Sequence, residues 1–173
     1  MDQLSFVESF RTSPFILTEG AIVERLRHEF QIPLDKHIVH AALIYNDSYR
    51  EILAEIYRQY LQIAADFRLP LMLMTPTRRA NMEQIAESDY RHKNVLADNV
   101  SFLSRFRTGT SIPVYIGGLA GCRGDAYDGR YCLSVEEAME FHFPAVRMMA
   151  EAGVDYLFAG IMPQLTEAIG MAN

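Results

Sequence analysis

The chain has 173 residues, half of them hydrophobic and 22 % charged, with a formal net charge of −6. One core of that length buries about 70 % of the unfolded surface, which excludes intrinsic disorder, and no basic surplus is left over to neutralise nucleic-acid phosphates. No apolar run approaches the ~18 residues of a membrane span, and Met1-Asp2-Gln3-Leu4 lacks the basic start and apolar run of a signal peptide.

Phe15-Ile16-Leu17-Thr18 is a short apolar run that ends at Glu19-Gly20, and Ala21 to Phe30 then reads as a helix. His37 to Tyr45 fits either extended chain or an irregular helical turn. Ser48-x-x-Glu51 has the form of a capping box, and Ile52, Ile56, Tyr60, Ile63, Ala64 and Phe67 recur behind it at helical spacing, predicting a helix over 49–67. Leu71-Met72-Leu73-Met74, between Pro70 and Pro76, is too short for a helix and reads as a strand buried on both faces.

A short helix is predicted over 82–87, and a longer one follows to about Arg107. Arg105 and Arg107 suit its C-terminal dipole and Gly109 is a candidate helix stop. The next strand is Pro113-Val114-Tyr115-Ile116, followed by a Gly-rich loop from Gly117 to Leu133. Ser134-x-x-Glu137 is a second capping box. Its helix stops at Gly153, and Pro144 inside it removes one backbone donor and is expected to kink it. Val154 to Phe158 reads as a fourth strand, and Pro163 to Asn173 begins another helix.

Strands and helices alternate, so the expected fold is α/β with a parallel sheet and right-handed crossovers, in one domain over 1–173. Such folds carry their chemistry at the C-terminal ends of the strands. Those ends are Thr18-Glu19-Gly20, Thr75-Pro76-Thr77, Gly117-Gly118 and Ala159-Gly160-Ile161-Met162.

The order of these strand-end motifs resembles the homocysteine S-methyltransferase family, zinc-dependent (β/α)8 barrels. Ile16-Leu17-Thr18-Glu19-Gly20-Ala21 stands where the family has a strand and Asp-Gly-Gly. Thr75-Pro76-Thr77-Arg78-Arg79-Ala80-Asn81 resembles its Thr-Asn-Thr-(aromatic)-x-Ala-Asn. Ile116-Gly117-Gly118 with Gly124-Asp125-Ala126-Tyr127, then Ser134-x-Glu136-Glu137-Ala138 with Phe141-His142, follow in the family's order. Ala152-Gly153-Val154-Asp155 and Pro163 with Glu167-Ala168 complete the likeness over essentially the whole chain.

The resemblance implies half of a TIM-type barrel with about four βα units, since a whole barrel typically needs ~250 residues. It also implies methyl transfer to homocysteine or a related thiol, by attack of a zinc-bound thiolate on a methyl donor, in methionine biosynthesis. Glu19 would meet the substrate's amino group, with Gly20, Thr75, Thr77 and Asn81 at the same mouth. Two departures matter. Gly160 stands where the family has a second substrate-binding Glu, and no region here resembles the family's zinc-cysteine motifs. The zinc ligands would then lie beyond residue 173, and the chain alone is expected to be inactive, with no metal and no assigned catalytic residue.

Each candidate also has a plainer reading. Glu19 equally suits a helix dipole, and the Thr and Asn residues suit turn chemistry. Cys122 and Cys132 form neither a CxxC pair nor a disulfide framework and read as incidental thiols of a reducing cytoplasm. His142 lies on an apolar stripe, as a core histidine does, and His37 and His40 make a lone HxxH. The glycines at 117–124 lack a phosphate-loop lysine. Two further expectations remain open. One is a non-catalytic half-barrel that forms a homo-oligomer, because an open sheet leaves unpaired edges. The other is a small flavodoxin-like binder with its ligand after Gly117.

Overall fold

In a computed structural model, residues 4–127 and 130–173 are described; residues 1–3 of the N-terminus and 128–129 of the expected loop lie outside the described residues. Four parallel strands lie side by side in chain order: β1 (Leu17–Thr18), β2 (Leu71–Met74), β3 (Val114–Gly121) and β4 (Tyr156–Gly160). Every neighbouring pair is parallel, as in successive βα units of a barrel, and β1 and β4 are left as edges. The helices are α1 (Phe6–Thr12), α2 (Ile22–His28), α3 (Asp47–Asp66), α4 (Met82–Glu87), α5 (Val95–Ser104), α6 (Val135–Glu151) and α7 (Leu165–Ala172).

The register divides the side chains into two faces. Leu17, Leu71, Leu73, Val114 and Ile116 share one face and pack against Leu53, Ile56 and Tyr57 of α3 and Phe102 and Leu103 of α5. Thr18, Met72, Met74, Tyr115 and Tyr156 share the other, concave face. Gly117 lies beside Tyr156 in the register, and a Cβ there would fall on the Tyr156 ring, so this glycine is what admits the ring.

Several local expectations change. The third strand does not stop at Ile116 but runs to Gly121, because Gly117 to Gly121 pair in full with Tyr156 to Gly160. The fourth strand is accordingly 156–160 rather than 154–158, and the first pairs only at Leu17 and Thr18. The Ser48–Glu51 box is not used. Asn46 caps α3, accepting from Tyr49 N at 3.1 Å, and Glu51 turns to Arg58. The segment before it resolves as a 3-10 helix over His40–Tyr45.

The Ser134–Glu137 box forms as expected, and α6 runs through Pro144 without ending there. It closes at Gly153, whose φ of 90° lets Gly153 N reach Ala150 O and Val154 N reach Met149 O. This is the paired bonding of a Schellman stop. Arg107 ends a 3-10 turn and forms an ion pair with Asp155 instead of serving a helix dipole. Helix α1 has no counterpart in the expected elements.

Candidate functional site

Glu19 sits immediately after β1 and is 6 % exposed. Its Oε1 accepts the backbone N–H of Met74, the last residue of β2, at 2.8 Å. Its Oε2 is buried and has no hydrogen-bond partner. Burial in this position disfavours the charged form and pushes the carboxyl up to about 7, against the smaller opposing pull of the Met74 N–H. A carboxylate with one oxygen fixed and the other unanswered is poised for a donor from outside the fold, best a cation.

Glu19 is part of the wall of a cavity of about 210 Å³ at the C-terminal end of the sheet. Glu19, Gly20, His40, Tyr57, Thr75 and Arg78 are among its lining residues. A Cβ at Gly20 would meet nothing within 4 Å, so the turn leaves the mouth open there. Ala21 follows at φ 53°, a left-handed conformation that turns the chain sharply into α2.

The expected site residues separate into two groups. Glu19, Gly20 and Thr75 share this cavity. Thr77 and Asn81 line a smaller pocket of about 10 Å³ beside His142. The threonine hydroxyls are occupied: Thr77 Oγ1 donates to Leu119 O at 2.7 Å, so Thr75 Oγ1 must donate to Thr77 Oγ1, also at 2.7 Å. Thr75 Oγ1 in turn accepts Leu119 N–H at 2.9 Å. Together they tie the end of β2 to β3 and fix the cavity wall. Asn81 Oδ1 caps α4 through Gln84 N at 2.9 Å.

His40 is the cavity residue that pattern reading undervalued; its only sequence signal is the HxxH. It is buried, and its Nδ1 has no partner. Burial first, and then the charges of Arg78 and Arg27, hold its pKa at about 3, so the imidazole is neutral near pH 7. Val39 before it has φ 51° and ψ −116°, a strained backbone for a β-branched residue.

His142 is a satisfied core histidine. With the proton on Nε2 it donates to Glu167 Oε1 at 3.1 Å, and that oxygen also accepts Arg123 N–H at 2.9 Å. Burial lowers the His142 pKa against the opposing pull of Glu167. Glu167 is wholly buried, 25 residues from its partner, and no local pattern signals the pair.

The described residues do not fit a zinc site: among them no three His, Cys, Asp or Glu side chains converge to hold an ion. Cys122 is half-buried, and burial, reinforced by nearby Glu167, pushes its thiol up, away from the thiolate a metal requires. Cys132 is exposed and its sulfur receives Gln164 Nε2 at 2.7 Å. No helix among the described residues is long and apolar enough to cross a membrane.

A family model described as homocysteine S-methyltransferase matches residues 16–173. Homocysteine S-methyltransferase YbgG of Bacillus subtilis (strain 168) is 24 % identical over 170 residues, which cover 91 % of this chain and 53 % of that protein. The crystal structure of the oxidized form of the homocysteine methyltransferase MmuM from Escherichia coli superposes with a TM-score of 0.74 at 20 % identity. The match covers 94 % of this chain and 58 % of that one. The shared fold is therefore half of a (β/α)8 barrel, and the chain spans little more than half the length of these relatives.

Proposed function

The chain belongs to the homocysteine S-methyltransferase family, and from that premise we propose that it holds the amino-acid end of homocysteine, or of a related thiol, for methyl transfer. The supporting observation is that Glu19, whose Oε2 is buried without a partner, lines an open cavity at the C-terminal end of the sheet, where such folds carry their chemistry. An α-ammonium group supplies the donor and positive charge that this oxygen lacks. Binding restores the ionised carboxylate and brings its pKa back down. Gly20 keeps the approach open, and Thr75 holds the wall in place.

In the reaction the acceptor sulfur forms a bond to the donor's methyl carbon, the bond from that carbon to the donor breaks, and the thiol proton is lost. The described residues bind and orient the acceptor. With no convergent metal-ligand set among them, the activation of the thiol is assigned to none of them. Such chemistry belongs to cytoplasmic methionine formation.

Calorimetric titration of L-homocysteine and L-methionine into the chain tests this reading. The expected result is saturable binding that Glu19→Gln weakens at least about tenfold, the cost of losing a charge-assisted hydrogen bond. Equal binding by the wild type and Glu19→Gln would refute it.

A second reading concerns association of this chain with itself, as one domain of four βα units. The β4 edge is open, and Leu157 and Phe158 on it, with Phe143 of α6 and Leu165 and Ile169 of α7, are exposed. An apolar edge of that kind is stabilised by a second four-stranded unit. Light scattering over a concentration series is expected to show a mass above that of one chain; a constant single-chain mass would count against it.

A further inference from the structure

We infer that Arg78, assisted by His40, is the anion-binding end of the Glu19 cavity and sets its specificity for ligands that carry a carboxylate beside the ammonium group. This rests on the reading of Glu19 as the ammonium partner and adds the opposite pole.

Arg78 lines the same cavity as Glu19. Among the described residues its guanidinium has no ion pair and no hydrogen-bond acceptor, whereas Arg25, Arg58, Arg107, Arg123 and Arg147 are all paired. Nor is it ion-paired with Glu19, so a carboxyl and a guanidinium line one cavity without closing on each other. Arg78 is half-buried, yet none of its guanidinium nitrogens is closed off inside the fold, so the group is free to meet a ligand, and its planar fork matches a carboxylate through two parallel N–H donors.

The backbone beneath Arg78 is rigidly placed. Thr77 is tied to β3 through Leu119 O, and Ala80 N closes back on Thr77 O at 2.8 Å. Gly121 packs against the Arg78 carbonyl so closely that a Cβ would fall on its oxygen. The guanidinium therefore projects from a fixed base.

His40 lies on the same side, near enough to Arg78 to feel its charge. Its imidazole is neutral and its Nδ1 unpartnered, so one ring nitrogen can donate to an anion held by Arg78. The cavity thus has an acceptor at one pole and donors at the other, the pattern of an α-amino acid zwitterion. A simple thiol or amine answers only one of the two poles.

The test uses three probes on the chain: L-methionine, 3-(methylthio)propylamine, which lacks the carboxylate, and 4-(methylthio)butanoate, which lacks the ammonium group. The wild type is expected to prefer methionine over the amine by about tenfold or more, on the scale of a charge-assisted pair. Arg78→Gln should bring that preference close to parity, Arg78→Lys should restore part of it, and His40→Ala should reduce it less than Arg78→Gln does. Matching circular-dichroism melts keep a folding defect separate from a binding one. If Arg78→Gln keeps the wild-type preference while Glu19→Gln loses methionine, Arg78 has no such role and the Glu19 reading stands. If the wild type binds none of the probes, or neither variant changes binding, both fall together.

Discussion

Glu19 Oε1 accepts the Met74 backbone N–H at 2.8 Å across 55 residues of chain, joining the end of β1 to the end of β2. One carboxylate oxygen thereby completes the sheet edge and the other is left for a ligand. The cost of that arrangement depends on pH. The folded carboxyl titrates at about 7 against an ordinary value of 4.5, so the folded chain holds its proton more tightly than the unfolded chain.

Stability should therefore fall as pH rises from about 4.5 through 7, and Glu19 should cost the fold on the order of 3 kcal/mol above that window. Glu19→Gln retains an acceptor for Met74 and removes the charge. Urea denaturation is expected to show the variant more stable than the wild type at pH 8 and indistinguishable from it at pH 4. An equal difference at both pH values would mean that the carboxyl is not perturbed.

Two glycines near the site make a contrast. At Gly121 a Cβ would collide with the Arg78 carbonyl oxygen, a backbone atom that cannot swing away. Gly121→Ala should cost more than about 2 kcal/mol, as overpacking does, and should also weaken ligand binding by displacing Arg78. At Gly20 the added methyl meets nothing within 4 Å, so Gly20→Ala should change stability by no more than about 0.5 kcal/mol. Denaturant midpoints for the two variants decide whether the Gly121–Arg78 contact is as close as the structure has it.

Much of this fold is legible in the chain because its strands are short apolar runs and its helices long periodic ones. Leu71 to Met74 and the Ser134 capping box needed no tertiary information. The end of β3 did: Gly117, Gly118 and Gly121 read as loop residues, and only the pairing with β4 makes them strand. Glu19 was legible as a strand-end carboxylate, but its free oxygen was not. His40 and Arg78 are brought to it from 21 and 59 positions away in the numbering, and no local pattern records that. Helix α1 did carry a signal, since Ser5 and Glu8 form a reciprocal capping box like that at Ser134. Its apolar residues make no clean stripe, and Val7 and Phe10 are exposed.

Under α6, the buried pair of His142 and Glu167 links α6 to α7. Glu167 keeps one oxygen, Oε2, without any partner, so the pair is already under-satisfied. His142→Leu removes the imidazole donor and leaves a buried carboxylate supported by Arg123 N alone. Taking a donor away from a buried acceptor in this way costs roughly 1–3 kcal/mol, and more when the acceptor is charged. Glu167→Gln, which keeps an acceptor for both donors and sheds the charge, should cost distinctly less. Equal losses in the two variants, measured by urea denaturation, would show that the charge is irrelevant there.

Phe6 connects α1 to the concave face of the sheet. Its ring stacks on Tyr156 with centroids 4.6 Å apart and meets Tyr115 edge-on at 5.5 Å, and Tyr115 Oη donates to Leu4 O at 2.9 Å. A seven-residue helix has too few internal bonds to persist by itself, so these ring contacts are what hold it in place. Phe6→Ala should release α1 at a cost of about 2 kcal/mol, less than for a fully enclosed phenylalanine. Amide exchange is the sensitive readout: protection should vanish over 6–12 and persist at Val114 to Gly121, whose bonds to β2 and β4 do not involve Phe6. Loss of protection in both segments would mean that α1 is part of the cooperative core rather than a cover laid across it.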